Sequence, residues 1–279
     1  MSRTFLITGV SSGLGRAFAQ EALAAGHFVV GTVRDPKHVD AFEALAPGRA
    51  VARLLDVTDD HAVTTAVDTV EQTVGPIDVL ISNAGYGLEG TVEETSLEDA
   101  RRQFDVNVFG SVAVIKAVLP HMRRRRSGHI FTVSSMAGLT ALPGVAFYGA
   151  SKFAMEGIAG SLAQEVADFG IHVTSLALGS FRTDWAGRSM VRVPRTVPDY
   201  DDVFAPIRAA RQAKDGRQAG DPALAARAVL QVLDSDKPPV HLVLGSDAVR
   251  LVEQGRRQLA DDVAAWSELS ASTDFRAGD

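Results

Sequence analysis

Thr4-Phe5-Leu6-Ile7-Thr8-Gly9-Val10-Ser11-Ser12-Gly13-Leu14-Gly15 stands almost at the head of the chain. Residues 4–10 are apolar and β-branched and read as a strand, and a helical pattern over 15–25 follows at once. The glycines Gly9, Gly13 and Gly15 permit a tight turn and let backbone amides approach a diphosphate at a helix N-terminus. Ser11 and Ser12 add hydroxyl donors, and Leu14 completes the turn.

Outward from this unit, strand-like and amphipathic runs alternate. Strands are expected at 4–10, 28–33, 51–57, 79–83, 129–134, 172–178 and 240–244. Helical patterns cover 15–25, 37–45, 60–74, 97–125, 148–169, 222–233 and about 248–266. Such alternation implies right-handed βαβ units, here an α/β, doubly wound parallel sheet of about seven strands flanked by helices. The Val/Ile/Leu-rich strands suit a sheet covered on both faces. No repeat or low-complexity linker divides residues 1–279, so one domain is expected. The rhythm breaks only over about 180–220, where a lid over a substrate would sit, and a helical extension is expected over 247–279.

Composition removes several functions. With no cysteine among 279 residues, disulfides, thiolate zinc sites and cysteine nucleophiles are excluded. None of the seven histidines has ligand spacing, so no metal is expected. A net charge of -6 argues against general nucleic-acid binding, and the run Arg123–126 complements the end of a long helix. No signal pattern and no apolar stretch long enough to span a bilayer are visible, so a cytoplasmic protein without a membrane partner is expected.

The chemistry concentrates between Ser135 and Lys152. Ser135 ends the strand over 129–134, where open α/β sheets keep their ligands. Tyr148 and Lys152 lie four apart and share a helix face. An ammonium beside a phenol of pKa ~10 favours the phenolate and makes tyrosine usable in proton transfer. Taken singly, these residues are equally at home on a helix surface and in a turn. Val33 is followed by Arg34 rather than by an acid, which favours a 2′-phosphate at the end of the second strand. Asp56, followed by Val57, can accept from an adenine amino group or simply cap a turn. Ser82-Asn83-Ala84-Gly85 is small enough for backbone to pass close to a flat ligand.

Together these segments resemble the short-chain dehydrogenase/reductase superfamily over nearly the whole chain. Thr8-Gly9-x-x-x-Gly13-x-Gly15 matches its cofactor turn and Asn83-Ala84-Gly85 its sheet turn. Ser135, with Tyr148-x-x-x-Lys152 thirteen residues on, matches its catalytic signature, and Asn107 its fourth catalytic member. The resemblance implies a Rossmann fold and an oxidoreductase that interconverts a ketone or aldehyde and an alcohol by hydride transfer, using NADP(H) in preference to NAD(H). It implies Tyr148 as general acid/base, Lys152 on the nicotinamide ribose and lowering the tyrosine pKa, and Ser135 on the reacting oxygen. Asn107 would bend its helix and hold a relay water. Where the family usually has Pro-Gly, this chain has Leu178-Gly179, with Thr183 still in place to bond the carboxamide; a looser turn is expected. Trp185 and Met190, with Leu142 and Val145, are candidates for an apolar substrate wall, and Val191-Arg192-Val193-Pro194-Arg195 leaves room for an anionic tail. The segment 86–95 looks most like the 17β-hydroxysteroid-dehydrogenase-like branch. Relatives usually dimerise through the helices at 97–125 and 148–169, so a homodimer or homotetramer is expected. Two other readings stand beside the reductase: a regulator that senses NADP(H) without turning it over, and an epimerase or dehydratase of the same superfamily.

Overall fold

Short apolar strands bury both faces only if helices cover each side, and the computed structural model, describing residues 2–185 and 187–275, has that arrangement. In chain order it contains β1 (Thr4–Ile7), α1 (Gly13–Ala24), β2 (Phe28–Val33), α2 (Val39–Glu43), β3 (Ala50–Leu54), α3 (Asp60–Thr73), β4 (Val79–Ser82) and β5 (Gly87–Glu89). There follow α4 (Leu97–Phe104), a π-helical turn over Asp105–Gly110, α5 (Ser111–Arg125), β6 (Gly128–Val133), α6 (Ala146–Val166) and β7 (Ile171–Leu178). The chain closes with β8 (Met190–Arg192), α7 (Asp201–Ala213), α8 (Pro222–Leu233), β9 (His241–Leu244), α9 (Ser246–Ala265) and α10 (Ser267–Ala271).

Seven of these strands form one sheet in the order β3-β2-β1-β4-β6-β7-β9, every neighbour parallel. The strand order reverses between β1 and β4, so the crevice for a ligand opens at their C-terminal ends. One face packs against α3, α5 and α6 through Val67, Val118, Met155 and Leu162. The other packs against α1, α2 and α8 through Phe18, Ala22, Phe42 and Val229.

The helix expected over 97–125 is continuous but changes pitch through the π-turn, which holds Asn107. By length and apolar content this run would suffice to cross a bilayer, contrary to the expectation that no stretch would. Here its apolar side chains Val114, Ile115, Val118 and Met122 lie in the core. At its end, Arg125 does more than complement a helix terminus: it ion-pairs with Glu71 at 3.0 Å.

The aperiodic stretch after β7 is more ordered than its sequence suggests. β8 pairs in parallel with β5, Leu88 opposite Val191. Glu94 accepts from the Thr196 and Val197 amides at 2.7 and 3.0 Å and from Arg195 Nε at 3.0 Å. Burial would raise the Glu94 pKa, but these donors and the Thr91 hydroxyl hold it down to about 2. At the C-terminus, helix is present to Ala271, and residues 276–279 lie outside the described residues.

Candidate active site

The turn between β1 and α1 is built so that only glycine serves at three places. Gly9 and Gly13 have φ of +74° and +59°, the left-handed region that side chains disfavour. Gly15 is helical, but a Cβ there would stand 2.2 Å from the Gly9 carbonyl oxygen. Asn83 braces the turn from β4, its Nδ2 donating to the carbonyls of Thr8 and Gly9 at 2.8 and 3.1 Å. Thr8 Oγ1 in return accepts from the Asn83 and Ala84 amides, both at 2.9 Å. The N-terminus of α1 has neither a side-chain cap nor an acidic residue in its first turn, so its amides and dipole stay available to an anion.

Ser135 leaves β6 in extended conformation, with Oγ accepting from the Ala137 amide at 3.1 Å. The α6 helix then places Tyr148 and Lys152 on the face turned toward it. Both are buried; Lys152 Nζ donates to the Val133 carbonyl at 2.8 Å and lies 5.8 Å from the Tyr148 ring centroid. Burial pushes the Tyr148 phenol up to about 12, with only the Ser135 hydroxyl opposing it. The expectation of a lowered tyrosine pKa is therefore corrected: the ammonium is tied to a carbonyl and faces the ring, so desolvation wins. Burial also lowers Lys152 to about 8, against the charge of Glu156. Asn107 is spent on structure, its Oδ1 accepting from the Tyr86 amide at 3.1 Å and its Nδ2 donating to the Tyr86 carbonyl and Ser151 Oγ at 3.0 and 3.2 Å.

A cavity of about 1350 Å³ joins the glycine turn to these side chains. A strand, a glycine cradle and a buried Ser/Tyr/Lys group on one crevice form the arrangement that the sequence likeness implies. A family model described as short chain dehydrogenase matches residues 3–191. The chain belongs to that family.

Curated relatives and solved structures match over most of the chain. The chain is 39% identical over 274 residues to the oxidoreductase BOA17 of Botryotinia fuckeliana, covering 98% of this chain and 100% of that one. It is 35% identical over 255 residues to human retinol dehydrogenase 8, covering 85% and 80%, in support of the branch to which its sequence was likened. A short-chain dehydrogenase structure from Streptomyces avermitilis superposes with a TM-score of 0.92 at 38% identity, covering 99% of this chain and all of that one. ElxO with NADP bound matches at 0.73 and 25% identity, over 90% and 100% of the two chains. A Burkholderia phymatum short-chain dehydrogenase/reductase in complex with NAD shares the fold, at 0.82 and 21% identity over 94% and 95%. The protein is an NAD(P)-dependent dehydrogenase or reductase.

Most residues picked from the sequence line the dehydrogenase cavity: Gly9, Ser11, Ser12, Gly13, Leu14, Arg34, Asp56, Val57, Asn83, Ala84, Gly85, Ser135, Tyr148, Lys152, Gly179, Thr183 and Trp185. Three do not. Gly15 packs under the turn, Asn107 stands behind the wall, and Met190 is buried in β8 beside Gly87, so a direct substrate contact by Met190 is corrected to a packing role. Trp185 lies over Tyr148, ring centroids 5.2 Å apart. Arg34 is exposed and no carboxylate ion-pairs with it among the described residues, while Asp35 pairs with Lys37 instead. Asp56 is held below the usual carboxylate range by the Thr58 amide and hydroxyl, with the Arg34 charge adding to the effect.

Sequence reading missed Asp247. Its Oδ2 accepts from the Ser180 amide at 3.0 Å and its Oδ1 from the Ala248 amide at 2.9 Å. The Leu178-Gly179 turn, expected to be loose without its proline, is thus braced from α9. An acidic residue at the start of the helix after β9 was the only local signal.

Proposed function

We propose that the protein is an NADP(H)-dependent carbonyl reductase acting on ketones or aldehydes with a hydrophobic portion, with Tyr148 as the proton donor. The observation that carries this reading is the convergence of Ser135, Tyr148 and Lys152 on the cavity that begins at the glycine turn. The residues fit a dinucleotide: the cradle at Gly9 and Gly13 and the open N-terminus of α1 suit a diphosphate, and Asp56 is an acceptor for an adenine amino group. Arg34, without a carboxylate partner among the described residues and able to bind phosphate through two parallel N–H groups, favours the 2′-phosphate. Bound there, the nicotinamide supplies the hydride.

The chain's own groups supply position and the proton. Ser135 holds the substrate oxygen beside the phenol. Burial keeps the phenol protonated at neutral pH, the form that gives a proton to a carbonyl oxygen. Lys152, lining the same cavity, would bond the nicotinamide ribose. Asn107 acts through Tyr86 and Ser151 as a positioning residue. The segment with β8 and α7 serves as the lid and brings Trp185 over the reacting centre. We assign the assembly to a homodimer or homotetramer, with Phe109 and Phe153 exposed on the helices that would pair.

The test is NADPH consumption across a ketone and aldehyde panel with the native protein and Tyr148→Phe. Turnover in the variant should fall ~10²–10⁴-fold with NADPH still bound. Near-native rates in the variant would remove Tyr148 from the mechanism.

A further inference from the structure

At the substrate end of the cavity, beyond Trp185, the charges do not balance. Arg188 is matched by Asp184 at 3.2 Å. Arg211 and Lys214, one turn apart where α7 ends, also line the cavity. Glu89, fully buried on β5, is taken by Arg208 at 2.7 Å. Arg211 therefore stands 3.9 Å from Glu89 Oε2, outside hydrogen-bond reach, and its Nη1 has no hydrogen-bond partner. Its Nη2 donates to the Pro143 carbonyl at 2.6 Å, which fixes the guanidinium in place. Lys214 has no ion pair among the described residues. The cavity wall also includes apolar Leu88, Leu142, Val145 and Val191, with Leu142 and Val145 packed beside Tyr148.

We propose that the substrate carries an anionic group, a carboxylate, sulfonate or phosphate, at the end remote from its carbonyl, received by Arg211 and Lys214. This rests on the reductase reading and adds the substrate class. The partly exposed guanidinium held at the cavity wall attracts such a group, and Lys214 adds attraction at the mouth. The apolar wall takes the hydrocarbon between the two ends. A neutral substrate of the same length would gain no such attraction.

The test pairs 5-oxohexanoate, 7-oxooctanoate and 9-oxodecanoate with their methyl esters, the series serving as a ruler for the span. At one length or more the acid should exceed its ester in kcat/KM by about tenfold, the equivalent of one charge-assisted hydrogen bond. Lys214→Glu should cut that ratio by about tenfold, and added KCl should narrow it in the native protein. Arg211→Met should act in the same direction but exposes Glu89 to loss of its neighbour, so the exposed Lys214 is the deciding position. In a second arm, decanoate should stabilise the NADPH-loaded protein against heat more than decanamide does, and Lys214→Glu should erase the difference. Esters matching or beating acids at every length, or an acid preference untouched by Lys214→Glu, would overturn the inference while leaving the reductase reading intact. No reduction of any ketone, with decanoate still preferred over decanamide, would defeat the reductase reading and leave the anion site standing.

Discussion

Gly15→Ala sets two physical effects against each other in the cofactor turn. On helix propensity alone, alanine in the first turn of α1 should stabilise the protein by about 1 kcal/mol. The structure opposes this, since the new Cβ would lie 2.2 Å from the Gly9 carbonyl oxygen and 2.5 Å from Asn83 Nδ2. Both are held by the rigid brace from β4, so the turn must open. Overpacking of that kind costs about 1–3 kcal/mol. Displacing Asn83 from the Gly9 carbonyl removes a further hydrogen bond of about 1 kcal/mol. The clash wins, with a net loss near 2 kcal/mol by these figures. At about 2–4 °C per kcal/mol for a chain of this size, Tm should fall by roughly 4–8 °C. NADPH should bind roughly tenfold more weakly, the effect of one spoiled charge-assisted contact in the cradle. Calorimetry with and without NADPH reads both quantities. A Tm that holds or rises, with the same NADPH-induced shift as the native protein, would refute the close-approach argument and leave propensity in command.

Arg34→Ala should raise the NADPH dissociation constant by about tenfold or more and that of NADH far less, measured by fluorescence titration; equal effects would end the phosphate-clamp reading. His129 is buried, stacked on Phe131 with ring centroids 4.0 Å apart, and burial lowers its pKa to about 3. Its folded value lies below the unfolded one of about 6.5, so the unfolded state binds the extra proton. Stability from this group is complete above pH ~6.5 and declines by about 1.4 kcal/mol per pH unit below it. Urea unfolding at pH 7, 6 and 5 should show that slope, and His129→Gln should flatten it. Phe153→Glu, placing a charge on the exposed face of α6, should reduce the mass found by light scattering, and an unchanged mass would move the assembly interface elsewhere.

Much of this protein is written in short-range patterns. Continuous apolar runs mark β1 to β4, β6, β7 and β9, and a periodicity of 3.6 residues marks the helices between them, because burial on both sheet faces demands apolar runs and burial on one helix face demands stripes. The glycine turn is legible for the same reason: the conformations of Gly9 and Gly13 are local properties of the backbone. The spacing of Tyr148 and Lys152 likewise places them together on any helix.

What local pattern could not carry is what depends on distant partners. Glu94 meets Arg195, Thr196 and Val197 about a hundred residues on, and β5 finds β8 at a similar separation, so a stretch without periodicity became an ordered cover. Asp247 reached back to Ser180 and replaced the stiffness of the missing proline. Met190 turned inward to Gly87, and Asn107 turned to the Tyr86 backbone rather than to the cavity. The tyrosine pKa moved opposite to its expected direction, since desolvation depends on everything packed around the phenol and the neighbouring ammonium was already bound to Val133. Sequence alone determined which residues form the sheet, the turn and the Tyr148–Lys152 pair, through interactions a few bonds or one helical turn long. Tertiary structure decided their protonation and which side chains meet the cavity, because dielectric and ion-pair choice are set by neighbours that only the closed fold brings together.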